Sequence, residues 1–215
     1  MKEKVILIGA GGHARSVIDI LIDNDDYDVV GCIDSAYPKK TFLEGMESVP
    51  IIGNDDSLEE FYTKGISNVF IALGNNRIRK KIYDNVIGIG YKPINVISKH
   101  SYISKSVSLG VGICVMHGAV VNVNGRIGNG CIMNTNSSVD HDCIINDFVH
   151  VAPGVAISGG TKIGEGTHIG TNSAIIDGIT IGNWCYVGAG SVVVKNINDC
   201  CMAYGVPARE IRKMK

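Results

Sequence analysis

The sequence predicts two parts, an α/β domain over residues 1–95 and an all-β parallel β-helix over residues 96–215. Three observations predict this division. Near the N-terminus an apolar run passes through a glycine-rich turn into a helical pattern. From Ile103 onward every sixth residue is aliphatic or Met. Glycine is plentiful, 27 residues of 215, against only 6% aromatics, and about 7% glycine is usual. Such a composition fits either disorder or a fold that turns tightly and often, and the regular spacing selects the second.

Composition sets the outer bounds. Hydrophobic residues make up 45% and charged residues 19%, as in folded globular chains. The net charge is −1 with no long run of one sign, so no nucleic-acid or membrane partner is expected. No apolar stretch approaches the roughly 18 residues that span a bilayer. The start, Met1-Lys2-Glu3-Lys4, leads into a strand-like run rather than a signal peptide, and a cytoplasmic location is expected. The seven cysteines are odd in number and form no C-x-x-C, so neither a disulfide framework nor a metal site is expected.

Taking the elements in order, Val5-Ile6-Leu7-Ile8 reads as a buried strand. The turn Gly9-Ala10-Gly11-Gly12-His13-Ala14 fits G-x-G-x-x-A, a loop that can cradle phosphate at a helix N-terminus. A helix follows with Val17, Ile18, Leu21 and Ile22 on one face. Residues 29–33 form a second strand ending at Asp34, 20 residues beyond Ala14, where an acid that binds ribose or base belongs. Residues 68–73 supply a third strand and residues 78–86 another helix. This order implies a parallel sheet with ligands at the strand C-termini. A dinucleotide fold needs two such halves, and the single half here suits a mononucleotide better than NAD.

The sixfold series is Ile103, Leu109, Val115, Val121, Ile127, Met133, Val139, Ile145, Val151, Ile157, Ile163, Ile169, Ile175, Ile181, Val187 and Val193, 16 positions without a break. Chance would give this on the order of once in 10⁷. Strands have period 2 and helices 3.6, so a period of six marks short strands alternating with turns, each strand one side of a triangular prism. Three hexapeptides make one coil, and residues 18 apart stack. The pairs Leu109-Gly110, Ile127-Gly128, Ile145-Asn146, Ile163-Gly164 and Ile181-Gly182 mark a recurring corner, with Gly and Asn expected there for positive φ. Four positions after each aliphatic, small or β-branched residues such as Ala119, Cys131, Ser137, Thr161 and Ser173 suit a narrow interior. End coils lack a neighbour, so residues 203–209 with the basic tail are expected to cap the C-terminus.

Functional residue types are densest in Asn134-Thr135-Asn136-Ser137-Ser138-Val139-Asp140-His141-Asp142-Cys143 and in residues 146–154. A neutral imidazole can take the proton of an attacking amine near pH 7, and a carboxylate can fix its tautomer. His141, flanked by Asp140 and Asp142, supplies those types. Which aspartate orients the ring stays open, because neighbours on a strand point to opposite faces. The spacings of His117, His141, His150 and His168 match no compact metal-ligand motif. His117 and His168 read as corner caps, although His168 lies one coil above His150 and the two can instead line an interface between prisms; Trp184 and Tyr186 read as packing rather than adenine platforms.

The glycine loop, the hexapeptide repeat, His141-Asp142-Cys143 and Phe148-Val149-His150-Val151 together resemble one family. It is the bacterial sugar O/N-acetyltransferases of the hexapeptide-repeat, left-handed β-helix superfamily. That group includes the bacillosamine-pathway and perosamine N-acetyltransferases and the sialic acid O-acetyltransferases. The resemblance extends over essentially the whole chain. It implies a left-handed coil, a homotrimer, and acetyl-CoA as co-substrate in the groove between prisms. It implies His141 as catalytic base, oriented by Asp142 where the bacillosamine enzyme has Glu. It implies His150, Gly159 and Gly178 as acetyl-CoA contacts, with the Gly159 N–H receiving the thioester carbonyl. On the first domain it implies a nucleotide-linked amino sugar held by Gly11, Gly12, His13, Asp34, Ser35 and Asn76.

The expected function is transfer of acetyl from acetyl-CoA to a UDP- or GDP-linked 4-amino-6-deoxy sugar in bacterial glycan biosynthesis. O-acetylation of a sialic acid is the alternative within the same chemistry. From other classes come an NAD-binding oxidoreductase built on the glycine loop and a non-catalytic β-helix scaffold.

Overall fold

A computed structural model describes residues 2–214 of the chain, which divides into two compact units, Met1–Val96 and Ile97–Lys215. Met1, at the start expected to carry no signal peptide, and Lys215, at the end of the basic tail, lie outside the described residues.

The first unit runs β1 (Glu3–Ile8), α1 (Gly12–Asn24), β2 (Tyr27–Ile33), β3 (Phe42–Leu43), β4 (Met46–Gly53), α2 (Leu58–Thr63), β5 (Asn68–Ile71), α3 (Asn76–Ile89) and β6 (Lys92–Pro93). The sheet order is β3-β4-β2-β1-β5-β6, parallel throughout except for the β3–β4 pair. β1 lies between β2 and β5, so chain order reverses at its C-terminal end, where open α/β sheets bind ligands. Val5, Ile6, Leu7 and Ile8 are all buried, as a central parallel strand requires. Ile6 and Ile8 pack with Ile33, Val69, Ile71, Leu58, Ile82 and Val86.

Two details differ from the sequence reading. Ile22 is 63% exposed, whereas Ile20 is fully buried. At 100° per residue Ala14, Val17, Ile18, Ile20 and Leu21 share one arc, and Ile22 falls just beyond its edge. The sequence reading also passes over β4, whose Pro50 argues against a sheet strand. Pro50 is tolerated because its nitrogen faces β2 just before the ladder between the two strands begins at Cys32↔Ile51, so no N–H is needed there.

The second unit is a parallel β-helix of two-residue rungs stacked into three sheets. Strand partners are 18 residues apart along the coils, as in Arg126↔Ile144, Ile144↔Lys162 and Lys162↔Thr180, and the spacing shortens to 16 at the C-terminal end, as in Tyr186↔Met202. From Val115 to Val193 every member of the aliphatic series is buried in one continuous core, and Ile103 and Leu109 pack against its end. The interior small residues cap corner carbonyls fifteen residues on: Cys131 Sγ on Asn146 O, Thr167 Oγ1 on Gly182 O, Ser173 Oγ on Gly188 O. After the last coil Cys201–Gly205 and Ala208–Lys213 form an antiparallel hairpin, its first strand alongside Tyr186–Val187.

The reason for the corner glycines needs correction. Gly110, Gly128, Gly164 and Gly182 do not have positive φ. They are glycine because the next coil passes too close: a Cβ on Gly164 would lie 2.5 Å from Asn183 N, and one on Gly182 2.5 Å from Asp199 N. Positive φ falls instead three residues after each aliphatic. It occurs at every sixth residue from Gly112 to Gly190, including Asn124, Asn136, Asp142, Phe148, Asn172 and Trp184. Each turn therefore has one left-handed residue, and mainly Gly, Asn and Asp fill it. Where a ring occupies that position, the coil before it has glycine to make room: Gly130 lies against Phe148 and Gly166 against Trp184.

Candidate active site

In the first unit the loops after β1, β2 and β5 carry the expected nucleotide residues. Gly9 has an internal reason to be glycine: its φ is 106°, and a Cβ would meet Leu73 Cδ2 at 2.8 Å. Gly11 and Gly12 have none. Neither has positive φ, and a Cβ on Gly11 would meet nothing within 4 Å. The N-cap of α1 is Gly11, with no side-chain cap and no acid in the first turn. The N-terminus of α3 is closed by its own residue, Asn75 Oδ1 accepting from Ile78 N at 3.1 Å. An open helix start lined by glycines that the fold does not require suits an anionic ligand.

Asp34 stands at the end of β2, but its carboxylate also holds the loop together. Oδ2 accepts from Ala10 N at 2.8 Å and Oδ1 from Ala36 N at 2.9 Å. Ser35 beside it is exposed. Asn76 turns inward: it is 8% exposed and its Oδ1 accepts from Arg79 Nη2 at 2.9 Å, so that oxygen is engaged within the fold. Arg79 is fully buried and also donates to the carbonyls of Leu73 and Gly74 at 2.9 and 3.2 Å. A helical arginine reads as a surface residue, and nothing in the sequence marks it. His13 Nε2 is buried with no partner. Burial, with a further contribution from Arg79, pushes its pKa down to about 4, so the ring is neutral at physiological pH.

In the second unit His141 and Asp142 form one turn between the strands Ser138–Val139 and Ile144–Ile145. This resolves which carboxylate meets the imidazole. Asp142 has φ 58°, and that left-handed step brings its side chain to the same side as its neighbour's. His141 Nδ1 lies 2.8 Å from Asp142 Oδ2. Asp140 instead accepts the His141 backbone N–H at 2.8 Å and the Asn122 amide at 2.9 Å. The hydrogen bond to Asp142, reinforced by the charge of Asp140, raises the His141 pKa above its ordinary value. Asp142 is held below the usual carboxylate range by His141 first and by Asn124 second.

The His141 ring lies over Gly159, one coil on. A Cβ on Gly159 would stand 2.5 Å from His141 Cε1 and 2.6 Å from Nε2. At the equivalent turn position Asn129, Thr135, His141 and Glu165 each give their N–H to a side chain. The Gly159 N–H has no such partner among the described residues, and neither do those of Val123, Asp147, Thr171, Asp177 and Ala189 at the same position; Gly159 is the one that lies against the His141 ring. Gly178 is explained by its turn: φ is 66°, and its N–H is taken by Gly159 O at 3.0 Å.

His150 lies on a strand face, its Nε2 3.1 Å from Asn134 Nδ2. Its ring meets His168 edge-on at 4.7 Å, and His168 stacks on Tyr186 at 4.8 Å. His168 is therefore part of a ring column on a strand, not the corner cap expected from sequence. His117 does occupy a turn, its Nδ1 2.7 Å from Ser98 Oγ. Asn122 and Asn124 escaped the sequence reading, although each precedes an aspartate of the cluster by 18 residues. Among the described residues no group of three or more His, Cys, Asp or Glu could hold a metal ion. Among the described residues no helix is long and apolar enough to cross a membrane.

Residues 4–86 match the PglD N-terminal domain, and residues 160–195 match the bacterial transferase hexapeptide (six repeats). A histidine-to-asparagine mutant of perosamine N-acetyltransferase from Caulobacter crescentus, in complex with CoA and GDP-perosamine, superposes with TM-score 0.92. It is 36% identical, and the match covers 98% of this chain and 97% of that one. The acetyltransferase domain of PglB from Neisseria gonorrhoeae FA1090 superposes with TM-score 0.90 at 34% identity, covering 98% of this chain and 100% of that one. GDP-perosamine N-acetyltransferase of Escherichia coli O157:H7 is 29% identical over 159 residues, 71% of this chain and 69% of that protein. Protein L142 of Acanthamoeba polyphaga mimivirus is 39% identical over 110 residues, and the chain spans 20% of its length. Similarity over both units to two such structures gives the coil its left hand. The chain belongs to the sugar acetyltransferase family of the hexapeptide-repeat, left-handed β-helix superfamily, the family of perosamine N-acetyltransferase and the PglB acetyltransferase domain.

Proposed function

We propose that the chain transfers the acetyl group of acetyl-CoA to the amine of a GDP- or UDP-linked 4-amino-6-deoxy sugar in bacterial glycan biosynthesis, with His141 as general base. The observation that carries this reading is the His141–Asp142 contact of 2.8 Å, with the His141 ring against Gly159, whose N–H has no hydrogen-bond partner among the described residues. The neutral amine attacks the thioester carbonyl, whose oxygen develops negative charge and meets the Gly159 N–H. His141 Nε2 takes a proton from the nitrogen as the C–N bond forms. The C–S bond then breaks, and the imidazolium returns that proton to the departing sulfur. Asp142 holds Nδ1 and favours the imidazolium that forms between these steps.

In this reading the first unit holds the nucleotide. Its phosphates meet the open start of α1 at Gly11, Gly12 and His13, with Asp34 and Ser35 beside the ribose or base. The working form is a homotrimer with CoA in the groove between prisms, near His150. One sheet face carries Val120, Ser138, Ala156, Ala174 and Val192 outward, a flat surface of small side chains suited to side-by-side packing. The test is thiol release from acetyl-CoA with GDP- and UDP-linked 4-amino-6-deoxy sugars, with mass spectrometry of the product. Release stoichiometric with an N-acetylated sugar supports the reading. Release with a sialic acid alone moves the activity to O-acetylation, and no release with any acceptor leaves a scaffold.

A further inference from the structure

One column of the prism carries more than a turn. Ser106, Asn124 and Asp142 occupy the same position in three successive coils. The backbone N–H of Asn124 donates to Ser106 Oγ at 2.9 Å. Its side-chain Nδ2 donates to Asp142 Oδ1 at 3.2 Å. Asp142 is left with Oδ2 for His141 Nδ1 at 2.8 Å. Asn124 has φ 58°, so its position favours Gly, Asn or Asp, and of these only Asn offers a side-chain N–H donor to the next coil. Ser106, Asn124, Arg126 and Asp142 line an open depression of about 700 Å³, so the column is solvent-reachable and not a core strut.

We infer that Asn124 is a positioning residue for the catalytic pair: it occupies one oxygen of Asp142 and thereby presents the other to His141. This rests on the reading of His141 as general base. The charged groups that act on the ring are Asp140 and Asp142 in its own turn; Arg126 on the preceding coil lines the depression beside Asp142, and the following coil presents Gly159 against the ring. Two substitutions act on this arrangement in opposite senses. Asn124→Gly accepts the left-handed backbone and removes the donor, so Asp142 loses its hold and the influence that raises the His141 pKa weakens. Asn124→Asp removes the donor as well, but it places a second negative charge beside Asp142, and that added charge outweighs the lost hold and raises the His141 pKa.

The experiment is an NMR titration of the His141 imidazole in both full-length variants without ligand, with the pH dependence of kcat measured in parallel. Expected are a lower His141 pKa in Asn124→Gly and a higher one in Asn124→Asp. The acidic limb of kcat moves the same way in each, and kcat at its plateau falls roughly tenfold or more with KM little changed. Folded variants that both titrate as the parent does overturn the inference, because a merely structural asparagine would leave the ring untouched. The titration is read without catalysis. Shifted pKa values with unmoved kcat therefore overturn the base assignment, whereas unmoved pKa values in an enzyme that needs His141 overturn the inference about Asn124 alone.

Discussion

Adjacent glycines in the same turn respond to alanine in opposite ways. Gly159 has ordinary backbone angles, but a methyl group there would lie 2.5 Å from His141 Cε1, 2.6 Å from Nε2 and 3.0 Å from Nδ1. Carbon atoms in contact settle at about 3.5–4.0 Å, so the ring must retreat by about 1 Å. That movement breaks or stretches the 2.8 Å bond to Asp142 and displaces Nε2 from the nitrogen it deprotonates in the proposed mechanism. A misplacement of about 1 Å costs roughly 10²-fold in kcat. Gly160 has φ 67° and nothing within 4 Å of its hypothetical Cβ. Alanine there strains the backbone by about 1–2 kcal/mol and leaves the ring alone. Steady-state thiol-release kinetics and thermal unfolding of both variants separate the two effects. Gly159→Ala is expected to lose kcat and keep its Tm, and Gly160→Ala to lose Tm and keep kcat. Parent-like kcat in Gly159→Ala, or equal loss of kcat in both, would refute the geometric reasoning.

Other predictions concern stability and can be read from denaturant melts. The folded state holds His13 near 4 while the unfolded chain protonates it near 6.5, so the unfolded state binds the extra proton between those values and stability falls as pH drops through them. The full effect is about 3 kcal/mol, present above pH 6.5, and His13→Gln is expected to flatten that part of the profile; an unchanged slope would contradict the burial of the ring. Ser137 is 1% exposed and its hydroxyl has no partner, so Ser137→Ala is expected to raise the unfolding free energy by about 1 kcal/mol; a lower Tm would show that the hydroxyl is satisfied in solution.

The β-helix was legible because its constraint is periodic. An aliphatic residue every six positions carries the prism by itself, and the structure buries the series from Val115 to Val193 in one core. The corner glycines show where such reading stops. Gly110 and Gly112 look alike in sequence, yet one makes room for the next coil and the other supplies positive φ. Only coordinates distinguish steric from conformational need. In the first unit the strand through Pro50 and the buried Arg79 were hidden, because tertiary placement overrides what each residue type usually signals. The His141–Asp142 pairing could not be derived from strand alternation, since both residues lie in a turn where Asp142 adopts a left-handed conformation. The 18-residue offset links Asn122 to Asp140 and Asn124 to Asp142, so polar columns are legible in the sequence by the same spacing as the apolar one.

The proposed mechanism turns on removal of the acceptor amine's proton by the His141 imidazole. It is tested most directly by the steady-state constants of His141→Ala with a nucleotide-linked amino sugar that the parent acetylates. Loss of about 10²–10⁴-fold in kcat with KM little changed is the predicted result. Near-parent kcat in the folded variant would contradict it.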